Sequence, residues 1–288
     1  MEEINKKYWE KIKDKKRIVI KVGSSTLTHK DTGNLNYTKL DQIARAISDL
    51  KNSGKEVVLV SSGAVAVGRE ALRIGRISKT MSEKQACAAI GQCKLMMNYH
   101  KLFVEYGQIP SQVLMTKYSV DTEKSYSNLK NTFEELLKYG SIPIVNENDA
   151  IATDEIEFGE NDKLSAIVSA VIRADLLIML TDIDGLYTDD PFLNKDAKLI
   201  DTVTTERTEV KKMAKSSSDS DVGTGGMYTK VLAANIINPL GIDMMITSGK
   251  DPDILNKIMS GEKHGTLFVA QDSVQNDIRE YLVSKIDY

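Results

Sequence analysis

Four largely apolar runs constrain this chain most. RIVIKV at 17–22, EVVLV at 56–60, IPIV at 142–145 and LLIML at 176–180 lack the in-out alternation of a strand with one wet face. Strands of this kind have both faces covered, as in a parallel sheet packed between helices. Residues 112–115, 242–246 and 266–269 read as further strands, and segments with helical apolar spacing lie between them. This alternation predicts an α/β fold, a three-layer α/β/α sandwich with a mostly parallel central sheet and right-handed crossovers. There is no internal repeat and no linker that splits the chain. The expectation is two lobes on one continuous sheet, meeting near residues 173–176.

The helix ends carry local signals. Thr38 is expected to cap a helix running to about Asn52, with Leu40, Ile43, Ala44, Ile47 and Leu50 inward and Gly54 as terminator. Ser82 and Gln85 form a capping-box pattern that opens a helix to about Tyr106, closed by Gly107. Its core face is read as Cys87, Ile90, Leu95 and Leu102. Further helices are expected within 119–139 and at 252–259. Residues 3–15 suggest a short charged helix with Ile4, Tyr8 and Ile12 on one stripe, docked or solvated rather than anchored in a membrane.

Composition removes several function classes. The formal net charge of −3 argues against nucleic-acid binding. No apolar run approaches the roughly 18 residues of a membrane span. No signal-peptide pattern opens the chain, so a cytoplasmic location is expected. The two cysteines, Cys87 and Cys93, sit six apart in one predicted helix, a poor fit to a single face, and are read as reduced packing residues.

Polar residues gather where the strands end. The run at 142–145 stops in Asn146-Glu147-Asn148-Asp149, and Gly159-Glu160-Asn161-Asp162 follows just before an apolar helix pattern. Strand ends of this type bind ligands in α/β sheets. Asp accepts from an ammonium and Asn serves a carboxylate, so the pair suits a small zwitterion. The plain alternative is a turn at 146–149 and a helix cap at Asn161 or Asp162. Lys21 ends its strand beside Gly23-Ser24-Ser25, where it either snorkels to the surface or faces a phosphate. Ser61-Ser62-Gly63-Ala64 joins a strand to a helix and offers N–H groups and a hydroxyl to an anion. Thr181-Asp182 begins an Asp-rich loop whose spacing does not match a calcium site and which suits a nucleotide base or ribose better. Residues 211–222 are Lys/Ser/Asp-rich and expected to be mobile. They lead into Gly223-Thr224-Gly225-Gly226-Met227-Tyr228-Thr229-Lys230, which is not a Walker A loop. It joins glycines, a helix entry and a lysine, which suits phosphate or serves only as a flexible connection.

Two lysines, a glycine-rich helix entry, several Asp residues and an amide-rich pocket suit phosphoryl transfer to a carboxylate. Such an acceptor, with a pKa of about 4.3, is already ionised at neutral pH and needs no general base. The reaction needs alignment of two anions and cancellation of charge.

The runs IVIKVGSS, VSSGAVAVGRE, NENDAIAT, GENDKLSA, LTDIDGLYTDDP and GTGGMYTK together resemble the glutamate 5-kinases of the amino acid kinase family, over about residues 17–270. The resemblance implies ATP-dependent formation of L-glutamyl 5-phosphate from L-glutamate, the first step of proline synthesis. It implies an N-terminal lobe, about 17–174, that binds glutamate, and a C-terminal lobe, about 175–288, that binds ATP. By motif, Lys21 and Lys230 would face the transferring phosphoryl group, and Asp162 would hold both. Ser62, Asp149 and Asn161 would contact glutamate, with Asn146 and Asn148 shaping the pocket. Thr181, Asp182 and Thr224, Gly225, Gly226, Met227, Tyr228, Thr229 and Lys230 would bind ATP, with Mg²⁺ held by phosphate oxygens and water rather than by a protein metal site. Proline is implied as a feedback inhibitor and a homo-oligomer, dimer or tetramer, as the assembly. Many bacterial members carry a PUA domain after the kinase domain; none is expected here. The charged segment 1–16 has no role implied by the resemblance. The rival readings are a kinase of the same fold, such as an acetylglutamate kinase, aspartokinase or uridylate kinase, and an amino-acid sensor without catalysis.

Overall fold

The computed structural model describes residues 2–74, 80–151, 161–191, 193–204, 226–271 and 277–286. Its strands are β1 (Arg17–Val22), β2 (Glu56–Ser61), β3 (Ile109–Met115), β4 (Ser141–Glu147), β5 (Leu176–Thr181), β6 (Thr202–Val203), β7 (Asp243–Ser248) and β8 (Thr266–Phe268). They form one sheet in the order β3-β4-β2-β1-β5-β7-β8-β6. Neighbours pair in parallel except β7 with β8, which is antiparallel. The apolar runs have the expected cause. Val19, Val58, Val145 and Leu177 enter the core on one face, while Ile18, Ile20, Leu59, Ile144 and Ile178 enter the core on the other.

The helices are α1 (Glu2–Glu10), α2 (Ser24–Leu27), α3 (Tyr37–Asn52), α4 (Ala64–Leu72), α5 (Met81–Glu105), α6 (Tyr118–Asp121), α7 (Glu123–Lys138), α8 (Asn161–Val171), α9 (Met227–Ile237), α10 (Ile254–Met259) and α11 (Ile278–Ile286). Residues of α6, α7, α8, α9 and α11 pack on the Val19 face of the sheet. Residues of α2, α3, α4, α5 and α10 pack on the Ile20 face, completing the sandwich. Among the described residues, no helix is long and apolar enough to cross a membrane.

Several local expectations shift. The cap of α3 is Asn36, not Thr38: its side chain accepts from the Lys39 N–H at 3.0 Å. Helix α5 starts at Met81 after Thr80, so Ser82 lies inside it and does not open a capping box. A capping box does exist at Thr122 and Ser125, opening α7. Strand β3 begins three residues before the expected start, at Ile109. On α5, Ile90 is 42% exposed and belongs to the outer face, while Cys87 and Leu95 are buried. Cys87 is a packing residue as expected, but Cys93 is exposed, because six residues carry it round the helix. The two-residue strand β6 and the C-terminal helix α11 were missed. The stretch 211–222 lies outside the described residues.

The charged N-terminal segment is a docked element. Helix α1 breaks into a 3-10 turn at Ile12–Asp14, and Trp9 and Ile12 are buried at 1% and 0% exposure. The Trp9 indole N–H donates to Thr202 Oγ1 at 3.2 Å, and Lys15 pairs with Asp243 at 2.6 Å. These contacts tie the segment to β6 and β7, so its anchor is Trp9 beside the predicted Ile12.

Helices α4 and α5 meet backbone to backbone. A Cβ on Gly91 would lie 1.7 Å from the Ala64 carbonyl oxygen, and one on Gly68 would lie 1.8 Å from that of Cys87. Only glycine permits this approach at both positions. It brings α5 against the start of α4, where the Ser62-Gly63 turn leaves β2.

Candidate active site

From β1 the chain winds outward to β2, β4 and β3, and from β5 it winds the other way to β7, β8 and β6. The order reverses between β1 and β5, and sheets of this type bind ligands at the carboxyl ends of the strands flanking such a reversal. Lys21 lies near the end of β1, with Ser61-Ser62 on one side and Thr181 on the other. Lys21 shares strand parity with Val19, so it points to the face that carries α8 and α9.

The centre of that face is Asp162, in the first turn of α8 and 0% exposed. The Lys21 ammonium lies 2.6 Å from its Oδ1, and the Lys230 ammonium, from the first turn of α9, lies 3.2 Å from Oδ2. The Thr229 hydroxyl lies 2.8 Å from the same Oδ2, which accepts from it. Burial alone raises the carboxyl pKa. The charges of Lys21 and Lys230 and the hydrogen bonds from Lys21 and Thr229 outweigh it, so Asp162 is held below the usual carboxylate range. Lys21 does not snorkel. It is 8% exposed, Lys230 is 6% exposed, and one carboxylate fixes both.

The neighbouring residue, Asn161, faces a different set of groups. Its amide nitrogen donates to Ser62 Oγ at 2.7 Å and to Asn146 Oδ1 at 2.9 Å. The Asn146 amide in turn donates to Gln92 Oε1 at 2.9 Å. The amides therefore line up from Gln92 through Asn146 to Asn161. Because both Asn161 N–H donors are used, its Oδ1 is the end that remains for a ligand donor. Gln92, on α5, was missed in the sequence. It follows Gly91 in an ordinary helical run, and only the close α4–α5 packing shows where it reaches.

Asn148 and Asp149 form the turn after β4: the Asn148 N–H donates to Met115 O at 2.8 Å, and Ile151 N–H to Asn148 O at 3.1 Å. Both residues line a cavity of about 650 Å³ that also touches Gln92, Met96, Met97 and Leu114. Thr181 is buried at the end of β5, its hydroxyl donating to Asp182 Oδ1 at 3.1 Å and its carbonyl accepting from Gly249 N–H at 2.7 Å. Gly226 caps α9, Met227 is buried and Tyr228 is 42% exposed. Thr224 and Gly225 lie outside the described residues. The geometry thus gathers Lys21, Asp162, Thr229 and Lys230 in one cluster, and Ser62, Asn146 and Asn161 in a second. The two clusters are joined by adjacent residues of one helix.

Residues 16–248 match the amino acid kinase family. A glutamate 5-kinase from Clostridium perfringens is 50% identical over 264 residues, covering 90% of this chain and 97% of the relative. One from Clostridium acetobutylicum is 52% identical over 256 residues, covering 89% and 95%. A solved UMP kinase from Bacillus anthracis superposes with a TM-score of 0.59 at 19% identity, covering 90% of this chain and 98% of the other, and shares the fold alone. The paired lysines, the amide row and these matches agree: the chain belongs to the amino acid kinase family, among its glutamate 5-kinases.

Proposed function

We propose that this protein transfers the terminal phosphoryl group of ATP to the γ-carboxylate of L-glutamate, giving L-glutamyl 5-phosphate at the head of proline biosynthesis. The observation that carries this reading is the split at the start of α8. Asn161 binds Ser62 and Asn146, while Asp162 binds Lys21 and Lys230. An amino-acid pocket and a phosphoryl pocket thus lie one residue apart on a rigid element. Ser62, Asp149 and Asn161 bind glutamate, framed by Asn146 and Asn148. ATP lies over residues 175–288, along Thr181, Asp182 and the segment Thr224 to Lys230. Mg²⁺ enters with ATP as part of the substrate, on phosphate oxygens and water.

The protein's own contribution is alignment and charge. The acceptor carboxylate is ionised at neutral pH, so it attacks without losing a proton. Lys21 and Lys230 lie fixed on Asp162 before the reaction, so their fields need no rearrangement as charge moves onto the leaving oxygen. ATP-, Mg²⁺- and glutamate-dependent formation of a hydroxamate in hydroxylamine traps the acyl phosphate. Equal product without glutamate, or with aspartate in its place, would sink the reading.

Asp149 supplies the counter-charge for the substrate ammonium, because an ammonium taken out of water needs an anionic partner. Asp149→Asn keeps the shape and removes the charge. A charge-assisted hydrogen bond contributes roughly 1.5–3 kcal/mol, so the glutamate KM should rise by about one to two orders of magnitude. ATP affinity, read by direct titration, should hardly change. A variant that weakened ATP and left glutamate untouched would refute the division into lobes.

Proline shares the α-carboxylate and the ammonium of glutamate but has no γ-carboxylate to phosphorylate. We expect it to occupy the glutamate pocket and inhibit competitively. Initial rates at several proline concentrations test this: inhibition that persists at saturating glutamate would place proline elsewhere.

A further inference from the structure

Tyr99 lies seven residues after Gln92 on α5, two turns on, so both side chains leave nearly the same helix face. Gln92 reaches the end of β4, and Tyr99 reaches the end of β2. The Tyr99 ring is fully buried and stacked on Phe103, with centroids 6.0 Å apart. Its hydroxyl lies 2.8 Å from Ser61 Oγ, and Ser61 Oγ donates to the Ser62 carbonyl oxygen at 3.0 Å. A hydroxyl carries one hydrogen. With the Ser61 proton directed at Ser62, Tyr99 is the donor in the first bond. Burial raises the phenol pKa, and the Ser61 hydrogen bond offsets only part of this, so the donor keeps its proton through the assay range.

The relay ends on the peptide before Gly63. Ser62 N–H is anchored on the Val22 carbonyl at 3.0 Å, but the next residue, Gly63, has φ of 107°, in the left-handed region that glycine tolerates. The Ser62–Gly63 peptide therefore adjoins the one residue type that adopts this conformation without strain, so its orientation is set by its hydrogen bonds rather than by a side chain at 63. The hydrogen bond from Ser61 holds its carbonyl, and the donation from Tyr99 keeps the Ser61 hydroxyl from rotating away. The same Ser62 offers its Oγ to Asn161.

We propose that Tyr99 is a positioning residue for glutamate: it locks the Ser61 hydroxyl onto the Ser62 carbonyl and so fixes the Ser62-Gly63 turn in the orientation that binds the substrate. The proposal rests on the glutamate 5-kinase reading above. It deepens that reading by assigning a role to a core side chain that touches neither substrate.

The test compares Tyr99→Phe, Ser61→Ala and the double variant with the full-length wild type, by hydroxamate kinetics, ATP titration and thermal melting. Tyr99→Phe keeps the ring and removes the donor. It should raise the glutamate KM roughly three- to ten-fold, the range of one buried hydrogen bond, with kcat within about two-fold and ATP affinity unchanged. Ser61→Ala should give the same KM shift, and the double variant no more than either single, because both changes break one relay. An unchanged KM in Tyr99→Phe, or single effects that multiply in the double variant, would overturn the proposal. So would a fall in kcat and ATP affinity in step with the melting temperature, which marks a merely structural role. If Tyr99→Phe fails to fold, Ser61→Ala decides: a wild-type glutamate KM overturns the relay, and the predicted rise supports it. A wild type without glutamate-dependent hydroxamate would overturn the functional reading itself, a result visible before any variant is compared.

Discussion

Lys21→Met and Lys230→Met are each expected to lower kcat by about 10²–10³-fold, the usual cost of removing one preorganised electrostatic donor. Methionine keeps most of the lysine stem, so the substitution isolates the charge from the packing. The effect should be large because both side chains are largely buried: Lys21 and Lys230 are 8% and 6% exposed and lie 2.6 and 3.2 Å from a single carboxylate. A charge fixed in a low-dielectric site acts on the moving phosphoryl group far more strongly than one in water. The glutamate KM should change little, since the amide row proposed to bind the amino acid stays intact. Hydroxamate kinetics at saturating ATP measure both numbers. Turnover near that of the wild type in both variants would remove the lysines from the phosphoryl site.

The sequence made the sheet legible because burial on both faces leaves a strong mark. The run 176–180 has no polar residue and 17–22 is apolar except for Arg17 and Lys21, and each supplies both core layers. Lys21, Asn161 and Asp162 were legible as polar exceptions beside such runs. Short elements left no comparable mark: β6 is two residues long and exists because Thr202 and Val203 pair with Leu267 and Phe268. The cap of α3 was misplaced because Asn36 and Thr38 are both good cap residues, and only the bond to Lys39 N–H decides between them. Gln92 and Tyr99 were missed for a different reason. Each looks like an ordinary residue of a long helix, and its role depends on a partner 54 or 38 positions away, at Asn146 or Ser61. The glycines that allow this contact, Gly68 and Gly91, were visible, but the backbone approach that needs them was not.

Asp162→Asn should be the most destabilising single change at the site. The residue is 0% exposed and supplies the negative charge between the Lys21 and Lys230 ammonium groups. Breaking a buried ion pair by removing one partner costs about 3–5 kcal/mol, which for a chain of this size lowers Tm on the order of 10 °C. The pH dependence follows from the direction of the Asp162 shift. Its folded-state pKa lies below the unfolded value of about 3.9, so its contribution is fully present above that pH and is lost as pH falls through the folded value. The Tm difference between wild type and Asp162→Asn should therefore hold constant near neutrality and shrink below about pH 4. Added anion should act in the opposite direction. With the Asp162 charge gone, the balance of charge around the Lys21 and Lys230 ammonium groups becomes more positive by one, and an anion that binds the folded state there stabilises it by mass action. Sulfate or ATP should thus raise the melting temperature of Asp162→Asn more than that of the wild type, while kcat stays low because the lysines have lost the carboxylate that fixes them. Melting curves at several pH values, with and without sulfate, read all of this. Equal sulfate shifts in the two proteins would mean that Asp162 does not set the charge of the phosphoryl site.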